Sequence, residues 1–274
     1  MENYSLTNKE KKAREMVCLP LDGITLEDAG ERISELSDLV GLFKINSLFT
    51  SSGPAAIKTI TNCGADCFLD MKYHDIPNTV KNYAYEATLH GVRMFNVHAS
   101  GGLDMMKAAV EGVDKAMSYL WESNKIDVVR PEVYAVTVLT SLNLNSLKDT
   151  YSPIIRKFKP HEDPLGRQVL HFAQLADQAG LDGIVCSAGE LDFVRPKMRA
   201  DFKYITPGIK APISGVVGAD QARVFTPAEA VRRGSTTLVI GRAITGYGTA
   251  DERRQAAYEV LQDIAGVLDG EIKW

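Results

Sequence analysis

Two short apolar stretches of this chain carry an unusual density of charge. Phe68-Leu-Asp-Met-Lys-Tyr-His-Asp75 holds two carboxylates and one ammonium, and the run 40–45 carries Lys44 near its end. Side chains alternate along a strand, so Asp70 and Lys72, two apart, point the same way. Phe68, Leu69 and Met71 flank them and argue against a surface location. Asp75 follows just past the strand, so the charges can alternate as Lys44–Asp70–Lys72–Asp75 around one small volume. A structural ion-pair network that merely neutralises itself is the competing reading. Buried pairs are weak stability devices, however, and desolvating four charges is unfavourable. Fixed, desolvated charge of this kind is more commonly kept for catalysis.

The elements that must position these residues are legible as apolar, β-branched segments with amphipathic segments between them. Strands are expected at 16–21, 40–45, 66–71, 92–97, 133–139, 183–186, 202–205 and 236–240. Several are nearly continuous hydrophobic runs, as expected when both faces of a parallel strand are covered. Thr25-Leu-Glu-Asp28 resembles a capping box with Asp in place of Glu, and Leu26, Ala29, Ile33, Leu36 and Leu39 mark one helical face after it. Asp75-Ile-Pro-Asn-Thr-Val opens a helix that stops at Gly91. Thr226-Pro-Ala-Glu229 is a second capping box, closed by Gly234, and Gly180 ends a helix over 168–179.

Eight strands alternating with helices fit an α/β protein of the (β/α)8 TIM-barrel class better than an open doubly wound sheet. The chain, 1–274, reads as a single domain with a charged N-terminal arm, 1–15. Two stretches exceed simple connections, 123–130 and 143–167, and the second is an extended loop after strand five, at the end of the barrel where active sites lie. The chain has 274 residues, 45% of them hydrophobic and 24% charged, with a net charge of −4. That composition supplies a sizeable core and gives no reason to expect nucleic acid or a membrane surface as partner. No apolar run approaches the ~18 residues of a membrane span, the N-terminus lacks the apolar core of a secretory signal, and a cytoplasmic location is expected. Cys18, Cys63, Cys67 and Cys186 lack zinc-ligand spacing and read as buried reduced thiols.

In such a barrel, chemistry belongs at the C-terminal ends of the strands. Polar residues recur there: Asp22, Lys44, Asp70 and Lys72, Asn96 and His98, Thr140 and Ser141, Arg242. Singly, several have plain structural readings. His98 suits a hydrogen-bonded structural histidine, His74 an orienter of loops, Asp22 a turn or helix cap, and Thr140 and Ser141 local backbone bonds. A second cluster suits phosphate. Thr206-Pro-Gly-Ile-Lys210 ends strand seven, a glycine-containing loop runs through Gly215 and Gly218 to Gln221, and Gly241-Arg242 ends strand eight. Loops after strands seven and eight are this fold's usual phosphate site, and arginine offers a bidentate donor.

The run Phe68-Leu-Asp-Met-Lys-Tyr-His-Asp-Ile-Pro-Asn-Thr79 resembles the signature of the orotidine 5′-phosphate decarboxylase family. So do Asn96-Val-His-Ala-Ser-Gly-Gly102, Val136-Thr-Val-Leu-Thr-Ser141 and Leu238-Val-Ile-Gly-Arg-Ala-Ile-Thr245, in the family's order. The resemblance covers the chain from about Val17 to Thr245. It implies conversion of orotidine 5′-monophosphate to UMP and CO2, the last step of de novo pyrimidine nucleotide synthesis, without metal or organic cofactor. Lys72 would then donate the proton to C6, and Asp70 would sit beside the substrate carboxylate. Lys44 would contact Asp70 and a ribose hydroxyl, Asp22 the ribose, and Thr140 the pyrimidine. Gln221, Gly241 and Arg242 would hold the phosphate. The family also implies a homodimer in which Asp75 and Thr79 reach into the partner's site.

The chain departs from the family at Lys210, where arginine is usual; lysine keeps the charge but loses the planar fork. The arm and the 143–167 stretch also exceed a minimal member. A metal-dependent relative on the same barrel, such as hexulose-phosphate synthase or ketogulonate-phosphate decarboxylase, shares Asp-x-Lys-x-x-Asp but places a glutamate ligand on strand two. Lys44 stands there, and an ammonium repels a divalent cation. A non-catalytic nucleotide-binding barrel predicts loss of the charged tetrad, which is intact.

Overall fold

Strands that are covered on both faces need apolar side chains on both faces, and that requirement shapes the whole chain. The computed structural model describes residues 4–123, 128–151, 163–210 and 225–268. The first half runs α1 (Asn8–Met16), β1 (Val17–Pro20), α2 (Leu26–Leu36), β2 (Leu42–Ile45), α3 (Ser47–Ser52), α4 (Pro54–Thr61), β3 (Asp66–Tyr73), α5 (Pro77–Leu89), β4 (Met94–His98) and α6 (Leu103–Glu122). It continues with β5 (Glu132–Val136), α7 (Leu144–Thr150), α8 (Pro164–Gln178), β6 (Gly183–Val185), α9 (Leu191–Val194), β7 (Lys203–Thr206), α10 (Pro227–Arg233), β8 (Thr237–Val239), α11 (Arg242–Thr245) and α12 (Ala250–Ala265). All eight strands pair in parallel, in chain order, and β8 returns to β1 to close the barrel. The chain is a (β/α)8 barrel.

The helices begin and end where local chemistry dictates. Thr25 with Asp28, and Thr226 with Glu229, form the expected reciprocal caps of α2 and α10. Gly234 closes α10 with φ +106° and Gly91 follows α5 with φ +73°, a region that favours glycine. The charged N-terminal residues read as an arm, but from Thr7 onward they form α1, started by a Thr7–Glu10 capping box. The buried Ala13 and Met16 seat this helix against α12 and β1. Strand five ends at Val136 rather than at 139: the Thr137 side chain bonds the Val185 carbonyl and the chain then bends away.

The core has two layers. Val17, Leu19, Phe43, Ile45, Leu69, Phe95, Val133, Ala135, Ile184 and Leu238 point outward against the helices. The alternate residues Cys18, Leu42, Phe68, Met94, Tyr134 and Ile205 fill the barrel interior. Tyr134 is fully buried, and its hydroxyl donates to Glu132 at 2.5 Å. All four cysteines are free; three are buried, but Cys63 is exposed in the turn after α4. The barrel's seam is clasped by charge: Arg253 grips Glu35 through two hydrogen bonds of 2.8 and 2.7 Å, and the buried Arg254 grips Asp38 through two of 2.7 Å. These tie α12 to α2 and the turn after it.

Gly183 on β6 lets Tyr134 occupy the interior. A Cβ there would lie 2.1 Å from the Lys203 carbonyl oxygen and 2.8 Å from a Tyr134 ring carbon. Gly183→Ala is expected to destabilise the fold by about 1–3 kcal/mol, as overpacking generally does. A lowered urea midpoint with an unchanged slope checks it, and an unchanged midpoint contradicts it.

Candidate active site

The inner-face alternation that fills the barrel with Leu42, Phe68 and Met94 continues two residues further along the same strands with Lys44, Asp70 and Asn96. The floor is apolar and the mouth is charged. All three polar side chains are buried. Lys44 Nζ lies 2.5 Å from Asp22 Oδ2 and 3.0 Å from Asp70 Oδ2, while Lys72 Nζ lies 2.7 Å from Asp70 Oδ1. Four alternating charges thus form the line Asp22–Lys44–Asp70–Lys72. Asp22, expected as a turn residue or a ribose contact, is the fourth member.

Asp75 does not join this line. It is exposed, and its Oδ1 accepts the neighbouring Ile76 amide at 2.7 Å. It stands in the turn between β3 and α5, beside half-buried Thr79 and the strongly exposed Ile76. His98 stacks on His74 with centroids 5.3 Å apart, and its Nδ1 meets the Ser100 hydroxyl at 2.7 Å. Burial, then His74 and Lys72, lower the His98 pKa, so its imidazole is neutral at pH 7. That is the structural histidine anticipated for it.

The convergence of Asp70 and Lys72 does not come from regular strand alternation. Leu69 pairs with Phe95, but the next partners are Tyr73 and Val97, so four steps on β3 oppose two on β4. The extra length forms a bulge, and within it Lys72 takes φ +51°, a left-handed conformation that is strained for a side-chain-bearing residue. The Lys72 amide donates to Asn96 Oδ1 at 2.7 Å, and Asn96 Nδ2 donates to Asp70 Oδ1 at 2.6 Å. From the other side, Asn46 Nδ2 donates to the Asp70 carbonyl at 2.7 Å, and the Asn46 amide donates to Asp22 Oδ1 at 3.0 Å. Sequence reading placed Asn96 among the strand-end polar residues without a role and passed over Asn46. For Asn96 the available signal was a primary amide in an otherwise apolar strand, which requires partners once buried; Asn46, half-buried just past β2, carried no such signal.

The residues expected at the phosphate follow β7 and β8, on the side of β1 away from β2. Gly241 follows β8 and starts α11, and a Cβ on it would come within 3.2 Å of Pro20 at the end of β1. Arg242 is exposed beside it. Lys210, half-buried, follows β7, and its amide donates to the Phe225 carbonyl at 2.9 Å. Thr140 is half-buried in the turn beyond β5. Gln221 and its loop, and 152–162 of the extended loop, lie outside the described residues.

Electrostatics make the line of charges self-consistent. Burial alone raises the Asp70 pKa, but Lys44 and Lys72 outweigh it and hold the carboxyl below the usual carboxylate range. Burial alone lowers that of Lys44, and Asp70 with Asp22 more than reverse it. Among the described residues no three His, Cys, Asp or Glu side chains are grouped to hold a metal. What the site offers is an ammonium, Lys72, fixed at the rim of an apolar well with its charge only partly met by a shared carboxylate.

The family model of the orotidine 5′-phosphate decarboxylase / HUMPS family matches residues 15–259. An orotidine 5′-phosphate decarboxylase of Geotalea uraniireducens is 40% identical over 256 residues, spanning 93% of this chain and 98% of its own. One from Geobacter metallireducens is 41% identical over 254 residues, 92% of this chain and 97% of its own. The crystal structure of orotidine 5′-phosphate decarboxylase from Lactobacillus acidophilus superposes with a TM-score of 0.72 at 32% identity, covering 90% of this chain and 97% of that one.

The lowered Asp70 pKa has a thermodynamic consequence. A depressed carboxylate stabilises the folded chain above its unfolded pKa, about 4, and the contribution vanishes as pH falls through the lower folded value. The parent should be more stable than Asp70→Asn at neutral pH, and urea unfolding of ligand-free protein should show the gap closing below about pH 4. A gap independent of pH would show that the carboxylate is not held by its ammonium neighbours.

Proposed function

The chain belongs to the orotidine 5′-phosphate decarboxylase family and decarboxylates orotidine 5′-monophosphate to UMP, and we propose that it does so with Lys72 as the proton donor, without metal or organic cofactor. The observation that carries this mechanism is the line Asp22–Lys44–Asp70–Lys72, closed by an ammonium at the reacting end. The bond from C6 to the carboxylate breaks, its electron pair stays on C6 as CO2 leaves, and Lys72 delivers a proton to C6. A proton thereby replaces CO2, and Lys72 is reprotonated from solvent. A charge already in place needs no reorganisation when the carbanion forms, which is the strongest form of electrostatic catalysis. Asp70 sits beside the substrate carboxylate, but two ammoniums and Asn96 engage it, so repulsion contributes less than the Lys72 charge.

Lys44 and Asp22 meet the ribose, and Thr140 the pyrimidine. Lys210, Gln221, Gly241 and Arg242 hold the phosphate, whose remote binding energy is used to stabilise the transition state. Lys44 also separates this reading from a metal-dependent sugar-phosphate relative: its Nζ occupies the space between Asp22 and Asp70 where a cation would need ligands. The protein works as a homodimer in the cytoplasm. Asp75 and Thr79 complete the partner's site, a reading supported by Asp75 standing outside its own chain's network and by Ile76, 66% exposed beside it. An exposed apolar side chain next to an exposed carboxylate suits a surface covered by a second copy.

Loss of the ultraviolet absorbance of orotidine 5′-monophosphate in excess EDTA, with UMP as product, is expected of the parent, and Lys72→Ala should reduce kcat by roughly 10³-fold or more. Activity that requires added Mg2+, or a Lys72→Ala enzyme with parental kcat, would overturn the mechanism. The shared site has its own test. Lys72→Ala and Asp75→Ala should each be nearly inactive, and refolding them together should restore roughly a quarter of parental activity through random pairing. No recovery from mixed, correctly folded dimers would place Asp75 in its own chain's site.

A further inference from the structure

Lys72 must hold its ammonium against Asp70 from a backbone that the sheet does not support. At the bulge, β4 offers no ladder partner to the Lys72 amide, since pairing jumps from Leu69–Phe95 to Tyr73–Val97. The Asn96 side chain fills that gap. Its Oδ1 takes the Lys72 amide at 2.7 Å, its Nδ2 binds Asp70 Oδ1 at 2.6 Å, and the residue is 0% exposed. The orientation of the amide is forced, because a backbone N–H can only donate and a carboxylate can only accept. A single planar group therefore fixes both the strained backbone that presents Lys72 and the carboxylate that shares its charge.

Resting on the reading of Lys72 as proton donor, we infer that Asn96 is a positioning residue of the reaction: its carboxamide locks the Lys72 bulge to the Asp70 carboxylate and sets the ammonium's place over the reacting carbon. It touches no reacting atom. The requirement is for one acceptor and one donor on the same rigid plane, pointing to β3. Alanine lacks both, and serine carries its donor and acceptor on one oxygen of a shorter side chain. A carboxylate supplies the acceptor only, while a protonated carboxyl supplies both. The charged and titratable groups around it are Asp70 and Lys72 directly, with Lys44 and Asp22 behind Asp70, His98 two residues along β4 and Tyr134 opposite it on β5.

The test uses full-length Asn96→Ala and Asn96→Asp with orotidine 5′-monophosphate as substrate, alongside the parent. Asn96→Ala should lower kcat about 10- to 100-fold, the loss expected for hydrogen bonds to a charged group, with KM changed far less. A parental kcat in folded Asn96→Ala overturns the inference, as does a loss confined to KM. Asn96→Asp keeps the shape, so it reports even where the alanine variant unfolds. Its protonated carboxyl supplies acceptor and donor together, and burial beside the Asp70 carboxylate favours that form. At pH 5 its kcat should therefore lie at least about tenfold above that of Asn96→Ala, and the advantage should shrink wherever rising pH ionises the introduced carboxyl. A kcat at pH 5 as low as that of Asn96→Ala overturns the inference. Failure of the parent itself to decarboxylate the substrate is a different result, and would overturn the underlying mechanism rather than the role of Asn96.

Discussion

A carboxylate at the mouth of an apolar barrel must be neutralised or protonated, and Asp70 is neutralised from both sides. Lys44 reaches it from β2 and Lys72 from its own strand, at 3.0 and 2.7 Å. The Lys44 ammonium is in turn tolerable in its buried place only because the carboxylate is there, while Lys72 keeps part of its contact with solvent. Remove one member and a buried charge is left uncompensated, so the line holds together as a unit. Everything near it serves that unit: the interior layer of Leu42, Phe68 and Met94 closes the space below, and Asn46 and Asn96 fix Asp70 through its carbonyl and its carboxylate.

Much of this was written plainly in the chain. All eight strands were legible because parallel strands covered on both faces are continuous apolar runs, and α2 and α10 because their capping boxes are local. The charged residues on β2 and β3 were legible as a group because desolvated charge is rare in such runs. What escaped was geometry that depends on neighbours. The bulge at Lys72 arises from how β3 pairs with β4, and nothing in Asp-Met-Lys-Tyr announces a left-handed lysine. Asp22 joined the line at its Lys44 end because parallel pairing sets the ends of β1 and β2 side by side, a proximity no sequence spacing encodes. Asn96 was visible but mute: its two partners belong to another strand.

The bulge also explains why a polar site can be built on a scaffold whose strands are otherwise regular. A regular β3 would keep Lys72 on the Asp70 face but hold it two residue rises, roughly 6–7 Å, further along the strand. Lengthening the strand locally frees its backbone to turn the ammonium back toward Asp70, and strain of this kind persists only where surroundings over-determine it. The surroundings here are hydrogen bonds rather than packing, since Lys72 itself is half-exposed.

The clasp of α12 on α2 couples the two ends of the fold. Gly241 meets Pro20 only when β8 reaches β1, and Arg253 and Arg254 reach Glu35 and Asp38 across more than two hundred residues of intervening chain. Contacts of such separation form late, because the loop they close is the largest available. During synthesis the charged line on β1, β2 and β3 leaves the ribosome early, yet the strand that adjoins it on the other side arrives last, with the final helix. The mouth of the barrel is therefore incomplete on a nascent chain until the seam shuts.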